Sequence, residues 1–143
     1  EEAYVAGLLH DVGKLILAAN LPEQYQEAIA VAQREKILLC EAERKVFGAD
    51  HADLGGHLLG LWGLPVPVVE AITLHHRPGV AVLKRFAPLT GLHTGNVLAA
   101  AEHSVVENVP ASAMDTNYLS ELGLNGRMEA WRKEWQNRAV GAC

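Results

Sequence analysis

Apolar side chains recur at helical spacing from the beginning of this chain. The positions lie three or four residues apart, as one face of an α-helix requires: Val5, Leu8, Leu9, Val12 and Leu15. We therefore expect a helix that continues through this whole segment, with the last four of these side chains in the core.

Proline, glycine and aspartate mark the boundaries of the next helices. Pro22 stands where a helix begins, since the first helical position does not need the N–H that proline lacks. Gly48 is placed to end the following helix, and Asp50 to cap the start of the one after it. The inner face of that next helix is expected to carry His51, Leu54, Gly55, Leu58 and Trp62.

The rest of the chain is also helical in pattern. One helix opens at the prolines of GLPVP and runs to His75, and a longer helix is expected from about Pro88 to Glu107. Two short helices follow. Strand-like alternation and repeats are absent from the sequence, so it predicts an all-α fold: a compact multi-helix bundle in a single domain over residues 1–143.

The composition is that of an ordinary globular protein. Of 143 residues, 50% are hydrophobic and 20% are charged, which is enough to build a buried core. The net charge of −5 argues against a general affinity for nucleic acid or for anionic membranes, because both attract basic surfaces. The sequence contains neither a signal peptide nor an apolar run of about 18 residues.

Two features concern the cell compartment and the extent of the chain. Cys40 and Cys143 stand far apart and do not form a CxxC pair, so we expect reduced thiols in a cytoplasmic protein. The first residues already have a helical pattern and do not include a starting Met. We therefore expect the chain to be part of a longer protein.

The segment LLHDVGK carries the first candidate site. On a continuing helix His10, Asp11 and Lys14 share one side, and Gly13 allows another backbone or an anion to come close. Imidazole and carboxylate groups suit Zn, Mn or Fe, a carboxylate can bridge two metals, and a lysine beside them can neutralise phosphate. The alternative is a polar helix end whose aspartate and lysine pair at the surface.

Three further histidines lie where they can join the HD pair. His51 is in the first turn of its helix on the apolar face, and His75 and His76 end the next helix before a proline–glycine turn. Separate helices that each end an apolar face with histidine are what a metal site between helices requires. The alternative is that each imidazole binds a carbonyl group or water, because cationic histidine also favours helix C-termini.

The remaining histidines are weaker candidates. His57 lies about 240° around the helix from His51, at about 100° per residue, and is expected to be solvated. His103 stands in an exposed-looking turn. His93 is either a core residue or a support for the site, with Asn96 one helical turn further along.

Longer stretches of the chain resemble the HDOD family, the HD-related output domain of bacterial signalling proteins. The stretches are EEAYVAGLLHDVGKLIL, EAERKVFGADHADLGGHLLGLWGLPVPVVEAITLHH and LSELGL. The resemblance covers nearly the whole chain. It implies an all-helical relative of the HD phosphohydrolases and of the HD-GYP cyclic-dinucleotide phosphodiesterases, of a kind often found downstream of receiver or other sensory modules.

The resemblance also implies a set of metal ligands. The ligand motifs of the catalytic relatives match His10, Asp11, His51, His75 and His76. Their closing aspartate matches Asn96, their nearby lysine matches Lys14, and their first histidine lies upstream of this chain; their GYP stretch is absent. The Asn96 amide is neutral and Arg77 adds positive charge beside the histidine pair. The expected site therefore holds at most one loosely bound divalent ion, such as Mn, Fe, Zn or Mg.

Two functions are consistent with these features. We favour a non-catalytic signalling output or interaction module, as in a two-component response regulator, which passes the state of an upstream receiver or sensory domain to a protein partner. The alternative is a metal-dependent phosphohydrolase of the cyclic-dinucleotide phosphodiesterase type, completed by upstream residues. In that alternative Asp11 bridges metal and Lys14 steadies the phosphate. The sequence indicates no nucleic-acid or membrane partner and leaves the oligomeric state open.

Overall fold

A computed structural model describes residues 1–102 and 106–140 of the chain. These residues form helices, turns and irregular segments, with no β-strand among them. In chain order the α-helices are α1 (Glu2–Leu9), α2 (Val12–Asn20), α3 (Pro22–Glu35), α4 (Leu39–Phe47), α5 (His51–Leu61), α6 (Val66–Leu74), α7 (Pro88–Glu102), α8 (Thr116–Glu121) and α9 (Met128–Val140). The prediction of an all-α fold is confirmed.

The main core lies where α1, α5, α6 and α7 meet. Its buried side chains come from these helices and from α8, and include Ala6, Leu59, Val68, Ala71, Ile72, Leu89, Leu92, Tyr118 and Leu119. A smaller apolar cluster joins α3 to α4. Each large apolar side chain buried in this way contributes about 1.5–3 kcal/mol. The core therefore holds α1, α5 and α6 in fixed positions, and the candidate ligands lie within these helices or directly after them.

Three predicted helix boundaries are confirmed. α3 begins at Pro22. α4 ends at Gly48, whose φ of 81° is a left-handed conformation that glycine adopts without a Cβ clash. α5 begins after Asp50, whose buried side chain accepts a hydrogen bond from a backbone N–H of the first turn and pairs with Arg44. These contacts of Asp50 fix the start of α5, where His51 is the first residue.

The first helix does not continue through the HD motif as expected. α1 and α2 are separated by a break at His10 and Asp11. A break changes the rotation of the second helix relative to the first, so the helical repeat of the sequence no longer indicates which side chains face inward. The prediction that Leu8 and Leu15 are core residues is wrong, since they are 67% and 71% exposed. Leu9 and Val12, the other two side chains of that prediction, are half-buried against the core.

Two further expectations differ from the structure. Trp62 is 67% exposed because α5 ends at the residue before it, and Leu59 takes the fully buried position on that helix instead. The described part of α7 is Pro88–Glu102, and Glu107, near which the helix was expected to end, lies in a turn.

The expectations for His103 and Cys143 fall outside the described residues. Among the helices that are described, none has the length and apolar character that crossing a membrane requires. A single domain over residues 1–143 stays a prediction, although side chains before and after the α6–α7 connection share the main core.

Candidate metal centre

The start of α2 brings the HD pair against the start of α5. Gly13, in the first turn of α2, lies on the backbone of His51: an added Cβ would overlap the His51 carbonyl oxygen and lie 2.7 Å from the carbonyl carbon. The expectation that Gly13 allows another backbone to come close is confirmed. This contact sets the distance between the HD pair and the His51 ring.

His51 is held from behind by a buried acid. The side chains of His51 and Glu43 are 1% and 0% exposed. Glu43 Oε2 accepts hydrogen bonds from the His51 backbone N–H at 2.9 Å and from His51 Nδ1 at 2.6 Å. A carboxylate has no proton to donate, so Nδ1 carries a ring proton, and in the neutral ring Nε2 presents its lone pair on the opposite side.

His75 and His76 follow α6 directly. The Nδ1 of His75 donates to the carbonyl oxygen of Ile72 at 2.7 Å, and its Nε2 is buried with no hydrogen-bond partner in the described part of the chain. The Nδ1 of His76 lies 3.2 Å from Ser112 Oγ, and its Nε2 lies 2.9 Å from His51 Nε2. The two rings therefore direct Nε2 toward the cluster that contains His51.

The ligand atoms of five predicted residues converge in two overlapping groups. Within each group the atoms lie no more than 4.8 Å apart, and His75 belongs to both: one group is His51, His75 and His76, the other His10, Asp11 and His75. Two nitrogens bound to one ion at about 2.0–2.1 Å lie about 3.0–3.4 Å from each other. The 2.9 Å between the Nε2 atoms of His51 and His76 is close to this spacing.

Three of the imidazoles have the orientation that metal-binding histidines have. His10 Nδ1 donates to the carbonyl oxygen of Gly7 at 2.8 Å, and His51 and His75 donate from Nδ1 to the oxygens described above. Such hydrogen bonds fix the ring tautomer and leave Nε2 as the metal donor. The four imidazoles and the Asp11 carboxylate fit a divalent transition metal, for which nitrogen and oxygen ligands are usual.

Asp11 faces the imidazoles but is bound to Lys14. Lys14 Nζ donates to Asp11 Oδ2 at 2.8 Å, while Asp11 Oδ1 lies 3.4 Å from His51 Nε2. Burial raises the pKa of this carboxyl, but Lys14, His10 and His51 together lower it by more. The pKa of Asp11 therefore lies below its ordinary value. Asp11 is therefore an ionised carboxylate at neutral pH.

Burial keeps the adjacent histidines uncharged. Removal from water lowers the pKa of His75 to about 3. The pKa of His76 is lowered by burial as well, and the neighbouring His75 and His51 rings add to that effect. Neutral imidazole is the form that binds metals. The protonation state of these two histidines is thus the one that a metal ion needs.

A cavity of about 500 Å³ lies in front of the cluster. Its polar lining consists of His10, Asp11, Lys14, His51, His76, Asn96 and Ser112, and most of its other lining residues are apolar. Asn96 therefore borders the same cavity as four of the five predicted ligands. Whether its amide contacts a bound ion stays a prediction.

Two other histidines have clear surroundings. His93 is buried; its Nδ1 donates to the carbonyl oxygen of His75 at 2.8 Å, and its Nε2 accepts from the backbone N–H of Asp115 at 3.0 Å. His93 is thus a core residue and also holds the backbone of a candidate ligand. It therefore combines the two roles that were expected as alternatives, a core residue and a support for the site. His57 is exposed, as expected.

Sequence reasoning assigned no role to Glu43 or Ser112. A signal for Glu43 was available, because this acid lies beside Cys40 and Ala42 on the buried face of α4. Acidic side chains are rarely fully buried unless they are paired. Ser112 lies in a segment without helical periodicity, and no sequence pattern marks it.

The positive charge of Arg77 is paired with an acid. Its guanidinium binds Asp53, which also lies 3.4 Å from Arg44. This ion pair reduces the repulsion that Arg77 was expected to exert on a metal beside the histidine pair.

The fold and the site define an all-helical domain in which an HD pair at a helix break meets histidines from two other segments. The sequence model of the HDOD domain matches residues 1–78, more than half of the chain, and the chain belongs to the HDOD family. An uncharacterized protein of Treponema pallidum (strain Nichols) is similar to it, with 28% identity over 75 residues. The similar region covers 52% of this chain but only 15% of that protein. No solved structure matches the chain.

Proposed function

We propose that this chain is a signalling output or interaction domain whose histidine cluster binds one divalent metal ion and does not hydrolyse phosphate esters. The charge at the cluster supports this proposal. Among the described residues, the two groups of ligand atoms contain one carboxylate, Asp11, and Lys14 is bound to it. Two dications in a partly buried site need several anionic ligands, because uncompensated charge is costly away from water.

The residues assigned to catalysis in the alternative function also favour a non-catalytic domain. A phosphohydrolase would use Asp11 to bridge metal and Lys14 to steady the phosphate, but here these two side chains bind each other. Asn96 offers a neutral oxygen at the position of a carboxylate ligand. The hydrolase stays a second candidate because the cavity of about 500 Å³ in front of the cluster has room for a substrate.

An output role is supported by the surface of the helices that carry the HD pair. Tyr4 and Leu8 on α1 and Leu15 on α2 are 71%, 67% and 71% exposed. Exposed apolar side chains that lie together mark surfaces that bind other proteins, and we propose that these three form such a surface. We propose that this surface binds a protein partner or a sensory domain of the same signalling protein, such as the receiver of a cytoplasmic response regulator. Metal at the break between α1 and α2 would fix how these two helices are oriented.

Elemental analysis combined with a hydrolysis assay tests the proposal. The full-length protein would be analysed as purified and after loading with Mn, Fe or Zn, then incubated with cyclic dinucleotides and with bis-p-nitrophenyl phosphate. We expect at most one ion per chain and no turnover. Two bound ions, with turnover that Asp11→Ala abolishes, would establish the hydrolase instead. A chain that binds no metal under any of these conditions would remove the metal from the proposal.

A further inference from the structure

Glu43 is a buried acid that pairs with no lysine or arginine in the described part of the chain. Its side chain is 0% exposed, and both of its hydrogen bonds go from Oε2 to His51. Its Oε1 is buried without a hydrogen-bond partner. Asp50, the other fully buried acid of this region, instead pairs with Arg44. Glu43 therefore differs from an ordinary buried ion-pair residue.

The position of Glu43 dictates which nitrogen of His51 faces the cluster. Because the carboxylate can only accept, Nδ1 must donate, and in the neutral ring that binds metal Nε2 then carries the lone pair. That lone pair lies 2.9 Å from His76 Nε2 and 3.4 Å from Asp11 Oδ1. A carboxylate behind a metal-binding histidine fixes the ring and makes its other nitrogen a stronger donor.

The Glu43 carboxylate also supplies the negative charge that the neutral Asn96 amide does not. Asp11 shares its charge with Lys14, and Asn96 contributes none. A buried carboxylate that no lysine or arginine neutralises is unfavourable in the metal-free protein. A dication bound to Nε2 of His51 would offset that cost, because it attracts the carboxylate on the opposite side of the ring. The negative charge that is missing on the cavity side of the cluster is thus supplied by Glu43, on the other side of His51.

We propose that Glu43 is the positioning residue of this centre: it sets the tautomer and donor strength of His51 and balances the charge of a bound dication. The inference rests on the proposed metal binding and identifies the residue that controls affinity. Glu43 does not touch the ion itself, and acts through His51.

The test compares wild type, Glu43→Gln and Glu43→Asp with Glu41→Gln as the matched control. Glu41 lies on the same helix, is exposed and undergoes the same change of charge. Dissociation constants for Zn and Mn would be measured by competition with a chelator. We expect Glu43→Gln to weaken binding by about 10- to 100-fold, Glu43→Asp to fall between it and wild type, and Glu41→Gln to leave the constant unchanged.

A second readout needs neither metal nor a variant. Nitrogen-15 NMR of the His51 ring in the chelator-treated wild-type protein should show a proton on Nδ1 and none on Nε2. A proton on Nε2 would overturn the proposal even if no Glu43 variant folds. Wild type that binds metal with the same affinity as Glu43→Gln would overturn it as well, while leaving the proposed metal binding intact. Wild type that binds no metal would remove both.

Discussion

The backbone of Gly13 lies so close to the backbone of His51 that no side chain fits between them. This contact joins the HD pair to α5. Gly13→Ala should therefore lower the free energy of unfolding by about 3 kcal/mol, at the upper end for overpacking, because the atoms in the way belong to the backbone. Urea unfolding would measure the loss.

Gly7→Ala is the matched control for this change. A Cβ at Gly7, in α1, meets nothing within 4 Å. Alanine there should leave the protein as stable as wild type or up to about 1 kcal/mol more stable, because glycine is a poor residue inside a helix. Equal stability of the two variants would show that α2 can move away from α5 without cost.

Removal of His75 should abolish most of the stabilisation that metal provides. This residue belongs to both groups of ligand atoms, whereas His57 is exposed and belongs to neither. A metal at 100 times its dissociation constant stabilises the folded state by about 2.7 kcal/mol. The melting temperature would be followed with and without Zn or Mn. We expect the metal-dependent increase to persist in His57→Ala and to disappear in His75→Ala; the same increase in both would place the ion elsewhere.

Asn96→Asp should tighten binding of Mn or Fe and destabilise the metal-free protein. The substitution adds a hard anionic ligand at the wall of the cavity, where its charge is partly removed from water. Asn117→Asp makes the same chemical change at an exposed position of α8. Thermal unfolding over a metal titration would compare the two variants. If Asn96→Asp gains no more from metal than Asn117→Asp, the amide does not face the ion.

The metal-free protein should lose stability as the pH falls from 7 to 5. Burial holds the pKa of His75 near 3 and lowers that of His76, against about 6.5 in the unfolded chain. The unfolded chain therefore binds protons first, and the stability present above about pH 6.5 declines as the solution becomes more acidic. By pH 5 each buried ring accounts for on the order of 2 kcal/mol.

Chelator-treated protein unfolded in urea at several pH values would measure this dependence. His76→Gln removes one of the titrating rings and should flatten the curve; His57→Gln, at an exposed position outside the cluster, is the control substitution. A free energy of unfolding that is equal at pH 5 and pH 7 would mean that the histidine pair takes up protons in the folded state as readily as in the unfolded chain.

By itself the sequence determined the features that depend on near neighbours along the chain. Pro22, Gly48 and Asp50 mark the ends of helices because their effects on the backbone act within one turn. The apolar repeat indicates helices for the same reason. The HD and HH motifs identified the residues that converge in space, although whether they hold metal stays a prediction.

Only the tertiary structure decided how those residues are oriented. The break between α1 and α2 exposes Leu15 against the helical repeat of α1, because tertiary contacts and not local periodicity set the rotation of α2. Two of the hydrogen bonds that orient imidazoles join residues separated by 8 positions for His51 and Glu43 and by 18 for His93 and the carbonyl of His75. Such partners are chosen by the way helices meet, since a buried polar group takes the acceptor that the neighbouring helix presents. The sequence therefore contains the candidate ligands and the local carbonyls that orient His10 and His75, while the contact between α4 and α5 determines which nitrogen of His51 faces the cluster.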